Sequence, residues 1–273
     1  MKAARTVIEP QNNLSLRLNE LWEYRELFYF FTWRDIKVKY KQTYLGIAWA
    51  ILQPLTLMLL FTFVFSKNLK LYSGANRYEV FVLSGLILWG LFYAGVSHAS
   101  DSIVQQSNVI KKIYFPRLII PVSALLVAFF DFIIAFLLFL VFCLIYQQPL
   151  LWQAIFLFPT AIFLNLLAAF GVGTLLSALT VKFRDFRYAI PFLLQFLFFA
   201  TAVIYPLQSI KQTWLQDVLA LNPVNGAIEI FRGGMGETIN ERLLIISVAS
   251  ALFFSVAGFF YFRKTEAFFA DLA

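Results

Sequence analysis

The pattern of apolar and polar positions changes character at Gly46. Up to that point the chain is polar and basic; beyond it run long apolar segments with almost no charge inside them. Crossing the hydrocarbon of a bilayer takes about 20 apolar residues in a helix. On that measure six spans are expected, at Ile47–Phe65, Val80–Ala99, Val122–Tyr146, Gln153–Thr180, Ile190–Tyr205 and Leu243–Phe262. The fifth is short and stops at Pro206, so it is expected to continue as an irregular or re-entrant segment. Gln53-Pro54 predicts a local kink in the first. The chain divides accordingly into an N-terminal segment (1–46), a six-span unit (47–262) and a short tail (263–273).

Four stretches outside the spans carry patterns of their own. Glu26–Lys41 reads as an interfacial helix: Tyr29, Trp33, Ile36 and Tyr40 fall in one stripe, with Arg34, Lys37 and Lys41 as a basic shoulder beside it. Asp101–Tyr114 is helix-compatible, with Ile103, Ser107, Ile110 and Tyr114 on one face and Pro116 to stop it. Such a helix suits either docking to a soluble partner or lying flat on the membrane. The compact loop Val181–Tyr188 holds Lys182, Arg184, Asp185 and Arg187; adjacent Arg184 and Asp185 would not face each other on a helix and are expected to find different partners. Between Pro206 and Glu241 an apolar run from Trp214 to Leu221 is followed by Asn222-Pro223, Phe231 and glycines at 233, 234 and 236. That mixture predicts short, hinged helices that dip into the membrane and line a pathway or its mouth.

Composition makes lipid the solvent for much of this surface: 61% of the 273 residues are hydrophobic and 14% charged, with a mean hydropathy of +0.76. Met1 to Lys41 has no uninterrupted apolar core beside a cleavage site, so the first span is expected to serve as its own insertion signal. Sixteen Lys and Arg fall on the side of the N-terminus and six on the other, which predicts both termini in the cytosol. The same rule accounts for the net charge of +7 without any nucleic acid. One cysteine, Cys143, and one histidine, His98, leave no basis for a disulfide framework or a His/Cys metal centre. Asp131, inside the third span, should face protein or water or be protonated, since a charge at mid-membrane is costly; a structural role is favoured. Asn165 and Gln195 read as interhelical hydrogen-bonding groups.

Several chemistries are missing. The chain has no G-x-x-x-x-G-K-[ST], no H-E-x-x-H, no G-x-S-x-G and no close carboxylate pair at a membrane face, which disfavours an enzyme. Active transport would need energy from a separate subunit or an ion gradient. No repeat relates the first three spans to the last three. Aromatic residues make up 19% of the chain, 33 of them Phe; their flat faces serve as belt residues or as sequence-tolerant platforms for sugar rings.

The run WRDIKVKYKQTYLGIAWAILQPL (Trp33–Leu55) closely resembles the entry to the first span of ABC-2-type polysaccharide exporter permeases, the Wzm-like family. NVIKKIYFPRLIIP (Asn108–Pro121) resembles that family's coupling-helix region, VKFRDF (Val181–Phe186) its second inner loop, and Leu221-Asn222-Pro223 its outer segment before the last span. The resemblance implies an all-α integral membrane protein with six transmembrane helices, an N-terminal interfacial helix, a cytosolic coupling helix and exterior re-entrant helices. It implies a plasma-membrane homodimer that exports lipid-linked polysaccharide such as O-antigen, capsule or teichoic acid. ATP and Mg would be bound by a separate nucleotide-binding subunit, none by this chain. It further implies that Asn108, Val109, Lys111, Lys112, Ile113, Tyr114, Phe115, Pro116 and Arg117 dock that ATPase and that Tyr29, Trp33, Arg34, Lys37, Tyr40 and Lys41 meet the lipid surface. Arg184, Asp185 and Arg187 would form the second inner loop, and Pro206, Trp214, Asn222, Pro223 and Phe231 an exterior gate, with aromatic residues lining a channel at the dimer seam. The other readings are export of smaller lipids or drugs, a gradient-driven carrier using Asp131, and a membrane enzyme acting on polyprenyl-linked sugars.

Overall fold

A computed structural model of the chain describes residues 22–41, 46–68, 76–266 and 269. Outside them lie 1–21, positions 42–45 of the Trp33–Leu55 motif, residues 69–75 with Lys70, and the tail past Glu266 apart from Phe269. Every regular element among the described residues is helical: α1 (Arg25–Lys41), α2 (Ala48–Phe61, continued by a π-helical stretch Thr62–Asn68), α3 (Tyr78–Gln105), α4 (Ser107–Ile110), α5 (Ile119–Ile145), α6 (Ala154–Lys182), α7 (Phe186–Phe199), a 3-10 turn Leu207–Ser209, α8 (Thr213–Ala220), α9 (Pro223–Gly233) and α10 (Glu241–Glu266).

Among the described residues five helices are long and apolar enough to cross a membrane: α2 with its continuation to Phe65, α3, α5, α6 and α10. The expected fifth span is α7, only 14 residues, which rises about 21 Å against the ~30 Å of a hydrocarbon core. α3 is the central staff, packed between α5 and α6 and largely buried except on the side of Gly90, Tyr93 and His98, and α10 closes the far side of α6. At 28 residues, α3 spans about 42 Å, so it outruns the hydrocarbon and carries Asp101–Gln105 beyond the end expected at Ala99.

Lipid gives helices no hydrophobic reason to associate, so close approach and hydrogen bonds must hold the bundle. α6 and α10 cross in backbone contact: a Cβ at Gly258 would lie 2.1 Å from the Gly171 carbonyl, and one at Gly171 would lie 2.4 Å from Ser255 N. Beside that crossing Ser255 Oγ donates to Leu167 O at 2.8 Å. Asn165, fully buried, donates from Nδ2 to Leu88 O at 2.7 Å and ties α6 to α3, as its polar group in an apolar span requires. α5 ends in a Schellman motif, with Gln148 N–H bonded to Cys143 O (2.9 Å) and Gln147 N–H to Leu144 O (3.2 Å). Gln147 takes the left-handed φ of 51° there that glycine usually supplies.

Two expectations about local structure are corrected. The single helix over Asp101–Tyr114 is interrupted at Gln106: α3 ends at Gln105, one four-residue turn follows, and Tyr114 is 57% exposed while Ile103 and Ile110 are buried. At the break the Gln106 side chain accepts through Oε1 from Arg34 Nη1 at 3.2 Å. The chain then leaves the helical path well before Pro116, which restricts only its immediate predecessor. Arg232, one of the six basic residues assigned to the side away from the N-terminus and expected in an outer loop, is instead buried inside α9 at 5% exposure.

Candidate functional site

α1 has two working faces. Tyr29 and Trp33 stack outward with ring centroids 6.3 Å apart, and Lys37 lies over the Trp33 ring at 5.1 Å. The opposite face centres on buried Phe31, whose ring meets Phe115 at 5.8 Å. The single stripe expected from periodicity therefore splits. Arg34 turns inward over Phe31 to bond Asp35 and Gln106, and Tyr40 packs its ring 5.9 Å from Phe130. Lys41 remains exposed at the end of the helix.

Following α1 from Phe31 to Tyr40 thus means running along α5 from its start towards its middle. At that middle Asp131 accepts from both Lys39 Nζ and Tyr40 Oη. The carboxylate faces protein, as an acid in an apolar span must. Burial first, and then the bond to Asp131, raises the Tyr40 phenol far above its ordinary value, which keeps it a donor.

Beside this pair opens a groove of about 890 Å³. One end is polar, with Lys39, Tyr40, Asp131 and His98. Its walls come from α2, α3, α5 and α7, and they are mainly apolar, with the rings of Trp49, Trp89, Tyr93 and Phe198 set among Leu, Ile and Ala. Gln195 and Gln53 line it rather than bonding between helices as expected of Gln195. A Cβ at Gly90, on the groove wall, would meet nothing within 4 Å.

At the other end of α7 the chain unwinds, and side chains of α9 and its cap satisfy the freed backbone. Asn225 Oδ1 accepts from Ala202 N at 2.8 Å, and Asn222 Nδ2 donates to Thr201 Oγ1 at 2.6 Å. Arg232 donates to Ala202 O (2.7 Å), Val203 O (2.9 Å) and Phe81 O (3.1 Å), with its guanidinium 3.4 Å from the Phe81 ring centre. Non-helical backbone survives at such depth only where protein supplies its partners. Asn222 also caps α9, accepting from Val224 N at 3.1 Å with Pro223 at the first helical position, so every α9 residue except Glu229 is buried. Phe231 stacks on Phe158 at 4.2 Å; Pro206 precedes the 3-10 turn, and Trp214 stands 66% exposed on α8. Asn225 and Arg232 escaped the sequence reading. The signal for both was a polar side chain at a buried register of a helix otherwise apolar on that face.

The face expected to dock a partner is mixed. Asn108, Lys111, Lys112, Ile113 and Tyr114 are exposed and Val109 is partly so, but Phe115 and Pro116 are buried and Arg117 is engaged by Glu266. In the neighbouring loop Arg184, Asp185 and Arg187 are exposed, and Arg187 pairs with Asp101 at 3.3 Å, joining that loop to the end of α3.

The family profile described as ABC-2 type transporter matches residues 26–236. Among curated relatives, an O-antigen export system permease protein of Myxococcus xanthus is 28% identical over 258 residues, covering 91% of this chain and 96% of the relative. A protein of the same description from Klebsiella pneumoniae is 26% identical, covering 90% and 95%. A polysialic acid transport protein of Escherichia coli is 25% identical, covering 82% and 88%.

Proposed function

Given that the chain belongs to the ABC-2 type transporter family, we propose that it is the membrane-spanning permease subunit of an ABC exporter of polysaccharide. The observation that carries this reading is the groove, an apolar half-channel studded with aromatic rings, running beside the central helix and open along one side. Aromatic faces give sugar rings apolar contact without a fixed hydrogen-bond register, so a polymer can advance without being trapped. A second copy of the chain is the natural cover for the open side, which makes the working unit a homodimer.

In this reading the fold has six spans, α7 being the fifth, and lies in the plasma membrane with both termini in the cytosol. Burial of Arg232 removes one charge from the outer tally and strengthens that orientation. α1 then lies at the inner surface with Tyr29, Trp33 and Lys37 towards lipid. The exposed turn at Asn108–Tyr114 meets a separate ATPase, which binds ATP and Mg, and the elbow held by Asn222, Asn225 and Arg232 closes the outer end. A lipid-linked polymer enters at the polar end of the groove, beside Lys39 and His98.

The test is affinity purification of tagged protein from detergent-solubilised membranes. A P-loop ATPase that co-purifies, with hydrolysis altered by the association, is the expected result. A chain that purifies alone and transports in liposomes without ATP would overturn the reading in favour of a gradient-driven carrier.

A further inference from the structure

We propose that Glu266 is a positioning residue for energy coupling: it fastens the end of α10 to the docking loop so that the two move as one body. The inference rests on the assignment of the 108–117 stretch to the ATPase contact.

The carboxylate of Glu266 is divided between two partners. Oε1 accepts the backbone N–H of Arg117 at 3.0 Å, and Oε2 pairs with Arg263 Nη1 at 3.0 Å. The Arg117 guanidinium returns to the Glu266 carbonyl oxygen, so the loop grips both the side chain and the backbone of the helix end. An acid in the last turn of α10 stands where its own helix dipole disfavours it, whereas Arg263 and Lys264 suit that place. Its position is explained by what it holds, the entry to α5, where the dipole favours an anion.

A second observation comes from burial. Phe262 and Phe269, both fully buried and 5.1 Å apart, belong to an apolar cluster with Ile110, Phe115 and Leu118 and with Phe31 of α1. That cluster is separate from the main bundle core. It gathers α1, the docking loop and the ends of α6 and α10 into one block. Above it, α10 is locked to α6 by the Gly171–Gly258 crossing, so a push on the loop has a rigid route into the bundle.

The experiment compares Glu266→Ala and Glu266→Gln with the unsubstituted chain in a permease-null strain of the source organism. Three readouts are taken: the ATPase recovered with each chain, ATP hydrolysis by the purified complex, and carbohydrate released from the surface of intact cells. For Glu266→Ala we expect normal recovery and continuing hydrolysis with surface carbohydrate reduced roughly tenfold, the size of a typical lost coupling. Glu266→Gln keeps an acceptor for Arg117 N–H and should restore most of the export. Normal export by Glu266→Ala would overturn the proposal, as would recovery, hydrolysis and export falling together, which marks a merely structural role. Absence of ATPase from the unsubstituted chain would instead overturn the docking assignment itself.

Discussion

Asp131 shows how a single residue in an apolar span is made tolerable. Its pair with Lys39 is incompletely buried, the side chains being 40% and 19% exposed. Loss of the contact should therefore cost about 1 kcal/mol, nearer a surface pair than the 3–5 kcal/mol of a fully buried one. Asp131→Ala is expected to lower the thermal midpoint in detergent by a few degrees. Lys39→Met combined with Asp131→Leu should recover most of that loss, because no charge is then left without its partner. If the double variant is no more stable than Asp131→Ala, the tether is not electrostatic. That Asp131 must face protein or water, or be protonated, was legible from its place in an apolar run. Its partner was not, because Lys39 lies 92 positions away and nothing local to either residue points to the other.

Among the elements, α1 and α3 mark the limits of periodicity. The 100° rule places Tyr29 and Trp33 together, and they do stack. It could not choose which side of a helix containing Phe28, Phe30 and Phe31 would face protein, since apolar groups surround the axis. The positions of α2, α3, α5, α6 and α10 were legible to within six residues, because the apolar run is itself what lipid solvates. The break at Gln106 was not: the apolar register runs on past it, and the contact made there is a tertiary one with Arg34. On α3 the glycines divide by face. A Cβ at Gly95 would come within 2.8 Å of Leu125 Cδ2, whereas one at Gly90 would enter the open groove. Replacing an exposed helical glycine gains about 1 kcal/mol, so Gly90→Leu should assemble normally and still obstruct passage. The expected outcome is a folded, monodisperse protein with surface carbohydrate cut several-fold. Full export by Gly90→Leu would mean that the substrate takes another path.

At the scale of the whole molecule, the six-fold alternation of apolar and polar sequence conceals an inequality. Four of the helices are long enough to cross with length to spare, and α7 is not. The elbow after it is built into the protein by Asn225 and Arg232 and cannot be drawn out into further helix without stranding those groups. As the proposed fifth span, α7 is about 9 Å too short, and along its exposed Phe192, Phe196 and Phe199 the bilayer would suffer a hydrophobic mismatch. Lipid must thin beside it, at a cost of fractions of a kcal/mol per ångström, or a second protomer must take the lipid's place. Self-association should then respond to membrane thickness, tightening as acyl chains are lengthened from 14 to 20 carbons, an increment of roughly a few ångströms per leaflet. Energy transfer between labelled protomers in bilayers of graded chain length measures this, and association indifferent to thickness would place the seam elsewhere. The dimer of such a permease would be held partly by the lipid it displaces.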